Sequence, residues 1–116
     1  MGSGFEKRVM ECTGYSDGKE STCKTPADPA YGVTASQTKT REWYTVAAGP
    51  ELPFGTKVYI PYFKDKPNRG IFVVEDRGVS NGHLDIYFGD PVSDKTAVPR
   101  ARDFGRRKLE VWVMSQ

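Results

Sequence analysis

Ile71-Phe72-Val73-Val74-Glu75-Asp76-Arg77-Gly78, followed after a short loop by His83-Leu84-Asp85-Ile86-Tyr87-Phe88, reads as strand, loop, strand. The first run is β-branched and aromatic; residues 77–82 hold two glycines, an asparagine and a serine; residues 84–88 are apolar again. Asp76 stands where the first strand meets its turn. Asp85, nine residues further on, is flanked by Leu84 and Ile86 inside the second apolar run. Burial there disfavours the charged carboxylate, which is how a fold prepares a general acid. An aspartate is otherwise a poor strand residue, so Asp85 is the first candidate for chemistry.

Working outward, Lys57-Val58-Tyr59-Ile60 alternates and stops at Pro61, and residues 108–114 set Leu109, Val111 and Val113 on one face. Residues 7–15 and 43–48 complete six short strands. Residues 62–70 are polar and read as a solvated hairpin loop. Ser93 can cap a short helix from Asp94, but Pro99 interrupts it, leaving a turn or two of helix before Gly105. No crossover helix is long enough to join parallel strands in an open sheet, so the pattern predicts a mostly β fold, a small closed barrel.

The chain of 116 residues suffices for one domain and one core. Met1-Gly2-Ser3-Gly4 resembles an expression scar, which leaves 5–116 as the domain and leads to the expectation of a longer parent protein with other domains. Its 17 basic and 15 acidic residues are interspersed, for a net charge of +2, with none of the one-sided basic surface that nucleic acid requires. No apolar run approaches the roughly 20 residues of a membrane span. One histidine and two early cysteines, Cys12 and Cys23, cannot build a metal site, and no cofactor motif appears. The two cysteines lie eleven apart across a Gly and Ser rich segment. A disulfide between them is expected in preference to two separate buried thiols; it would contribute about 2 to 4 kcal/mol and place the protein outside a reducing cytosol.

Several segments in this order carry a resemblance: Cys12-Thr13-Gly14-Tyr15, Thr22-Cys23-Lys24-Thr25-Pro26, Tyr31-Gly32-Val33-Thr34-Ala35-Ser36, Thr45-Val46-Ala47-Ala48-Gly49-Pro50, Leu52-Pro53-Phe54-Gly55-Thr56-Lys57, Val74-Glu75-Asp76-Arg77-Gly78, Leu84-Asp85-Ile86-Tyr87-Phe88 and Phe104-Gly105-Arg106-Arg107. Together they resemble the three-aspartate domain of bacterial cell-wall proteins, over nearly the whole chain. The resemblance implies a six-stranded double-psi β-barrel, related to the barrel of membrane-bound lytic transglycosylase A and to that of expansins. It implies an extracellular or wall-associated lytic transglycosylase that cleaves the MurNAc-GlcNAc bond of peptidoglycan glycan strands and leaves a 1,6-anhydro end. Asp85 corresponds to the catalytic acid and base, Asp76 to its supporting carboxylate, and Tyr15, Lys24, Thr34 and Ser36 to residues lining the glycan groove.

The family's first aspartate falls in an Ala-Ala-Asp-Pro segment, where this chain has Gly49; Glu51 could bring a carboxylate from a different backbone position. That departure keeps two other functions open: a peptidoglycan-binding barrel without turnover, as in expansins, and a wall-degrading module of a phage tail assembly. Glu75 reads as structural or solvated, His83 as an exposed loop residue, and at least half of Tyr15, Tyr31, Trp43 and Trp112 as core.

Overall fold

The computed structural model describes residues 5–16, 33, 34 and 36–114. Six strands, β1 (Phe5–Tyr15), β2 (Thr45–Ala48), β3 (Lys57–Tyr59), β4 (Ile71–Asp76), β5 (His83–Tyr87) and β6 (Arg107–Met114), close into a barrel in the order β1-β5-β2-β4-β3-β6. β1 with β5 and β2 with β4 run parallel; the remaining neighbours are antiparallel. This is the small closed six-stranded barrel expected, with mixed strand directions.

Alternation along each strand divides it into two faces. Met10, Cys12, Val46, Ala48, Val58, Phe72, Val74, Leu84, Ile86, Val111 and Val113 point inward and are buried together. Phe72 is wholly buried, with the Phe63 ring 5.6 Å from its own; cutting it to alanine would cost about 3 to 5 kcal/mol. A helix, α1 (Ala97–Phe104), covers one end with Ala97, Ala101 and Phe104. Strand β1 passes so close that a Cβ on Gly14 would lie 2.7 Å from the Phe88 ring and 3.1 Å from the Ala101 carbonyl oxygen. Only glycine lets helix and barrel meet there.

Four expectations need correction. Pro99 does not interrupt the helix: it is the third helical residue, in the first turn, where a backbone N–H has no intrahelical partner to lose. The N-cap is Thr96, while the Ser93 hydroxyl donates instead to the Asp90 carbonyl. Residues 62–70 are not simply a solvated excursion, because Pro61–Phe63 forms a 3-10 turn that buries Phe63 against the core. Trp43 precedes β2 rather than starting it, with a φ of 60°, a costly conformation for a bulky residue. Its ring is held 5.8 Å from Phe63 and 6.1 Å from Phe88, with the Lys66 ammonium over it at 5.3 Å. That packing is what holds the strained backbone.

The disulfide is corrected as well. Cys12 carries a free thiol, fully buried on the inward face of β1, with its sulfur 3.7 Å from the Met10 carbonyl oxygen. Strand alternation sends the side chain into the barrel interior, away from any surface loop. Burial, with Glu11 nearby, pushes its pKa up to about 12, so it is an inert core thiol. Cys23 lies outside the described residues.

Candidate functional site

Strand register assembles the site. Thr13 on β1 is opposite Asp85 on β5, Asp85 is opposite Ala47 on β2, and Ala47 is opposite Asp76 on β4. Residues paired across strands share a face, so these four form one row on the outer surface of the barrel. Ala47 lies between the two aspartates along that row. Two residues further along β1 and β5, Tyr15 and Tyr87 meet edge to face at 5.5 Å and, with Ala47, form a small buried apolar patch beside the carboxylates.

Asp76 reaches this row because β4 is irregular. The pairing of β2 with β4 shifts between Val46 and Ala47, leaving Glu75 as the extra residue. Such a bulge re-aims the side chains that follow it. Glu75 is buried and accepts a 2.7 Å hydrogen bond from the Thr45 hydroxyl, which assigns it to structure. Its carbonyl oxygen accepts the Ser36 backbone N–H at 3.1 Å, holding residues 36–40 to the end of β4.

The hydrogen bonds around Asp85 form a chain. The Thr13 hydroxyl donates to Asp85 Oδ1 at 2.9 Å, and the Thr13 hydroxyl oxygen lies 2.7 Å from His83 Nε2. With its proton committed to Asp85, Thr13 must accept from His83, which assigns the histidine proton to Nε2. Asp85 Oδ2 makes no hydrogen bond to a described residue. Burial pushes the Asp85 pKa above the usual carboxylate value, and the charge of Asp76 pushes it the same way; the Thr13 hydrogen bond and His83 pull it back. Asp76 accepts from the Tyr15 hydroxyl at 3.3 Å and, at its other oxygen, from the Arg77 backbone N–H at 2.9 Å.

Of the residues expected at the site, Asp85, Asp76 and Tyr15 come together in one row and patch. Thr34 and Ser36 belong to a separate hydroxyl cluster: the two oxygens are 3.0 Å apart, and each also meets Thr38, at 2.7 and 3.0 Å. The cluster is tied to the end of β4 by the Ser36 contact to Glu75. Lys24 and Tyr31 lie outside the described residues. Trp43 is packed on Phe63 and Phe88, and half-buried Trp112 stands edge to face with Phe5.

His83 is not an exposed loop residue. It opens β5, two residues from Asp85 and therefore on the same face, a spacing that the sequence already carried. Thr13 had no such local signal, because its partnership with Asp85 spans 72 positions.

Nor does Glu51 supply the missing carboxylate. Its Oε1 accepts from Arg8 at 3.1 Å and its Oε2 from the Gly82 backbone N–H at 2.6 Å, pinning the 49–52 turn to β1 and to the loop before β5. At Gly49 itself a Cβ would collide with Asn81, against its side-chain oxygen and at 2.6 Å from its backbone nitrogen. Asn81 occupies that space and accepts the Glu51 backbone N–H at 3.1 Å.

No protein-family model matches this chain, and no curated protein matches it. Among solved structures, an apo form of a variant of the E. coli lytic transglycosylase MltA superposes with a TM-score of 0.56 at 22% identity. The barrel is similar to that of MltA. A second structure, MltA from E. coli, gives a TM-score of 0.50 at 21% identity. Both matches cover 72% of this chain but only 27% of the MltA chain, so the protein spans about a quarter of the length of MltA. What is shared at this identity is the fold.

Proposed function

We propose that this protein is a lytic transglycosylase of peptidoglycan, acting at the bacterial cell wall, with Asp85 as its one acid and base. The observation that carries this reading is the half-buried Asp85, its pKa raised, with Oδ2 uncommitted in a row that also holds Asp76. Neutral Asp85 donates its proton to the glycosidic oxygen as the bond from C1 breaks. The resulting carboxylate takes the proton of the same sugar's C6 hydroxyl, and O6 closes on C1 to give the 1,6-anhydro end. No water is consumed and Asp85 returns protonated, so one carboxyl suffices where a hydrolase uses two. Asp76 supplies negative charge beside the oxocarbenium-like centre and helps to keep Asp85 protonated by raising its pKa. Thr13, held by His83, fixes the orientation of Oδ1 and leaves Oδ2 to the substrate. Tyr15 and Tyr87 are buried beside the row, and the Tyr15 hydroxyl holds the Asp76 carboxylate in place.

Digestion of purified sacculi followed by mass spectrometry tests this: soluble muropeptides with anhydro ends are expected from the wild type and none from Asp85→Asn. Absence of any soluble product between pH 4 and 8 overturns it. The closed space at Gly49 favours a second reading, a barrel that binds glycan strands without cleaving them. Co-sedimentation with insoluble peptidoglycan, equal for wild type and Asp85→Asn and without product, selects that one.

A further inference from the structure

Arg77 follows Asp76 at the carboxyl ends of the parallel pair β2 and β4. Its guanidinium lies over the Phe54 ring, with Cζ 4.1 Å from the centroid. One nitrogen, Nη1, makes two long bonds of 3.4 Å, to the carbonyl oxygens of Ala48 and Asp76. Nε and Nη2 bond to no described residue. Arg8, Arg100 and Arg106 each face a carboxylate within 3.5 Å, whereas Arg77 pairs with none among the described residues. The Asp76 carboxylate does not take this role, for it accepts from the Arg77 backbone N–H and from Tyr15 instead. Phe54 is 41% exposed, so ring and guanidinium form a plate open to solvent one residue from the site.

A surface arginine with only structural work would turn its fork toward an acidic neighbour or into water. Here stacking and the two carbonyl contacts fix its plane, and the Nε and Nη2 edge is left as a preset pair of parallel donors. That edge matches a carboxylate bidentately, and much of the side-chain ordering that binding would require is already done.

We infer that Arg77, stacked on Phe54, is a specificity-determining residue that takes a carboxylate carried by the glycan strand, either the free lactyl carboxylate of a muramyl residue or a carboxylate of its peptide. This rests on the glycan reading above. It makes the groove prefer muramyl glycans to neutral N-acetylglucosamine polymers of the same backbone.

The test uses the Asp85→Asn chain, so that no ligand is consumed, with Arg77 intact or replaced, and titration calorimetry. The ligands are a GlcNAc-MurNAc tetrasaccharide with free lactyl carboxylates, its methylamide, and the neutral GlcNAc tetramer. The free acid should bind about tenfold more tightly than the amide, the scale of one charge-assisted contact. Arg77→Gln should equalise the two, Arg77→Lys should keep part of the preference, and Phe54→Leu, which spares the charge but removes the plate, should weaken acid binding alone. A muropeptide that binds more tightly than the bare acid, and does so only with Arg77 present, assigns the peptide carboxylate as the source. Equal binding of acid and amide by the Arg77 chain, or an unchanged ratio in Arg77→Gln, overturns the inference while leaving glycan binding intact. Failure of all three saccharides to bind overturns both.

Discussion

Gly49 is where the chain departs from the three-aspartate pattern, and a methyl group there measures whether the departure is built into the fold. Its φ is not in the left-handed region, so alanine carries no backbone penalty and only space opposes it. The added Cβ would meet Asn81 at its side-chain oxygen, at its backbone nitrogen (2.6 Å) and at its Cα (2.8 Å). Two of the three contacts are with main chain, which cannot rotate away. Overpacking of this kind costs about 1 to 3 kcal/mol. Pushing Asn81 back also strains its hydrogen bond to the Glu51 N–H and the neighbouring Gly82 bond to Glu51, each worth about 1 kcal/mol. Gly49→Ala should therefore lose roughly 3 kcal/mol, a fall in Tm on the order of 10 °C for a chain of this size. Urea denaturation should show a lower midpoint at constant slope. Asn81→Gly in the same chain removes the side-chain clash but not the backbone one, so at least half of the loss should persist. Gly49→Asp should be worse still, and should not raise activity. A Gly49→Ala midpoint within about 0.5 kcal/mol of wild type, the range of an ordinary surface change, refutes the argument that Asn81 closes this position.

Asp85→Asn should stabilise the protein at neutral pH. A raised folded pKa means that the stability from this group is fully present below the unfolded value of about 4 and lost as pH rises through the folded pKa. The gain in Tm over wild type should thus be present at pH 7 and vanish near pH 3.5; a loss at pH 7 contradicts the assigned burial. Thr13→Val removes the hydrogen bond that holds the Asp85 pKa down, so the alkaline limb of the pH profile for sacculus digestion should move to higher pH, and an acid shift refutes the relay. Cys12 should resist a thiol reagent at pH 8 in a Cys23→Ser chain until denaturant is added, since burial holds its pKa at about 12; rapid labelling of the native protein counts against the buried thiol. Arg100 joins Glu42 and Asp94, each at 2.6 Å, to the Phe88 carbonyl at 3.0 Å. Arg100→Met should lower the urea midpoint at constant slope, and an unchanged midpoint would show these bonds to be redundant.

Strand positions were legible to within two residues because one-sided burial is written into alternate positions, as at Val58, Val111 and Val113. The first strand was harder, since Val9 is 69% exposed and spoils the alternation. Trp43 and Phe63 were misplaced for a different reason: both are fixed by aromatic packing from residues far along the chain, which overrides local polarity. Asp85 could be singled out from Leu84 and Ile86 alone. The company it keeps could not, because Thr13 and Ala47 reach it through pairings that no local pattern encodes. His83 was the avoidable miss, since its spacing of two from Asp85 puts both on one face. The cysteines misled because spacing says how large a loop could close, whereas strand phase decides which way a sulfur points.

The parallel alignment of β1 with β5 has a kinetic corollary. Thr13 and Asp85 become neighbours only after a loop of some seventy intervening residues has closed, and pairings so distant along the chain place a domain among the slow folders, in milliseconds to seconds. Until that closure Asp85 is an ordinary solvated carboxylate. Its perturbed acidity should therefore emerge in the last kinetic phase of refolding, together with the barrel itself.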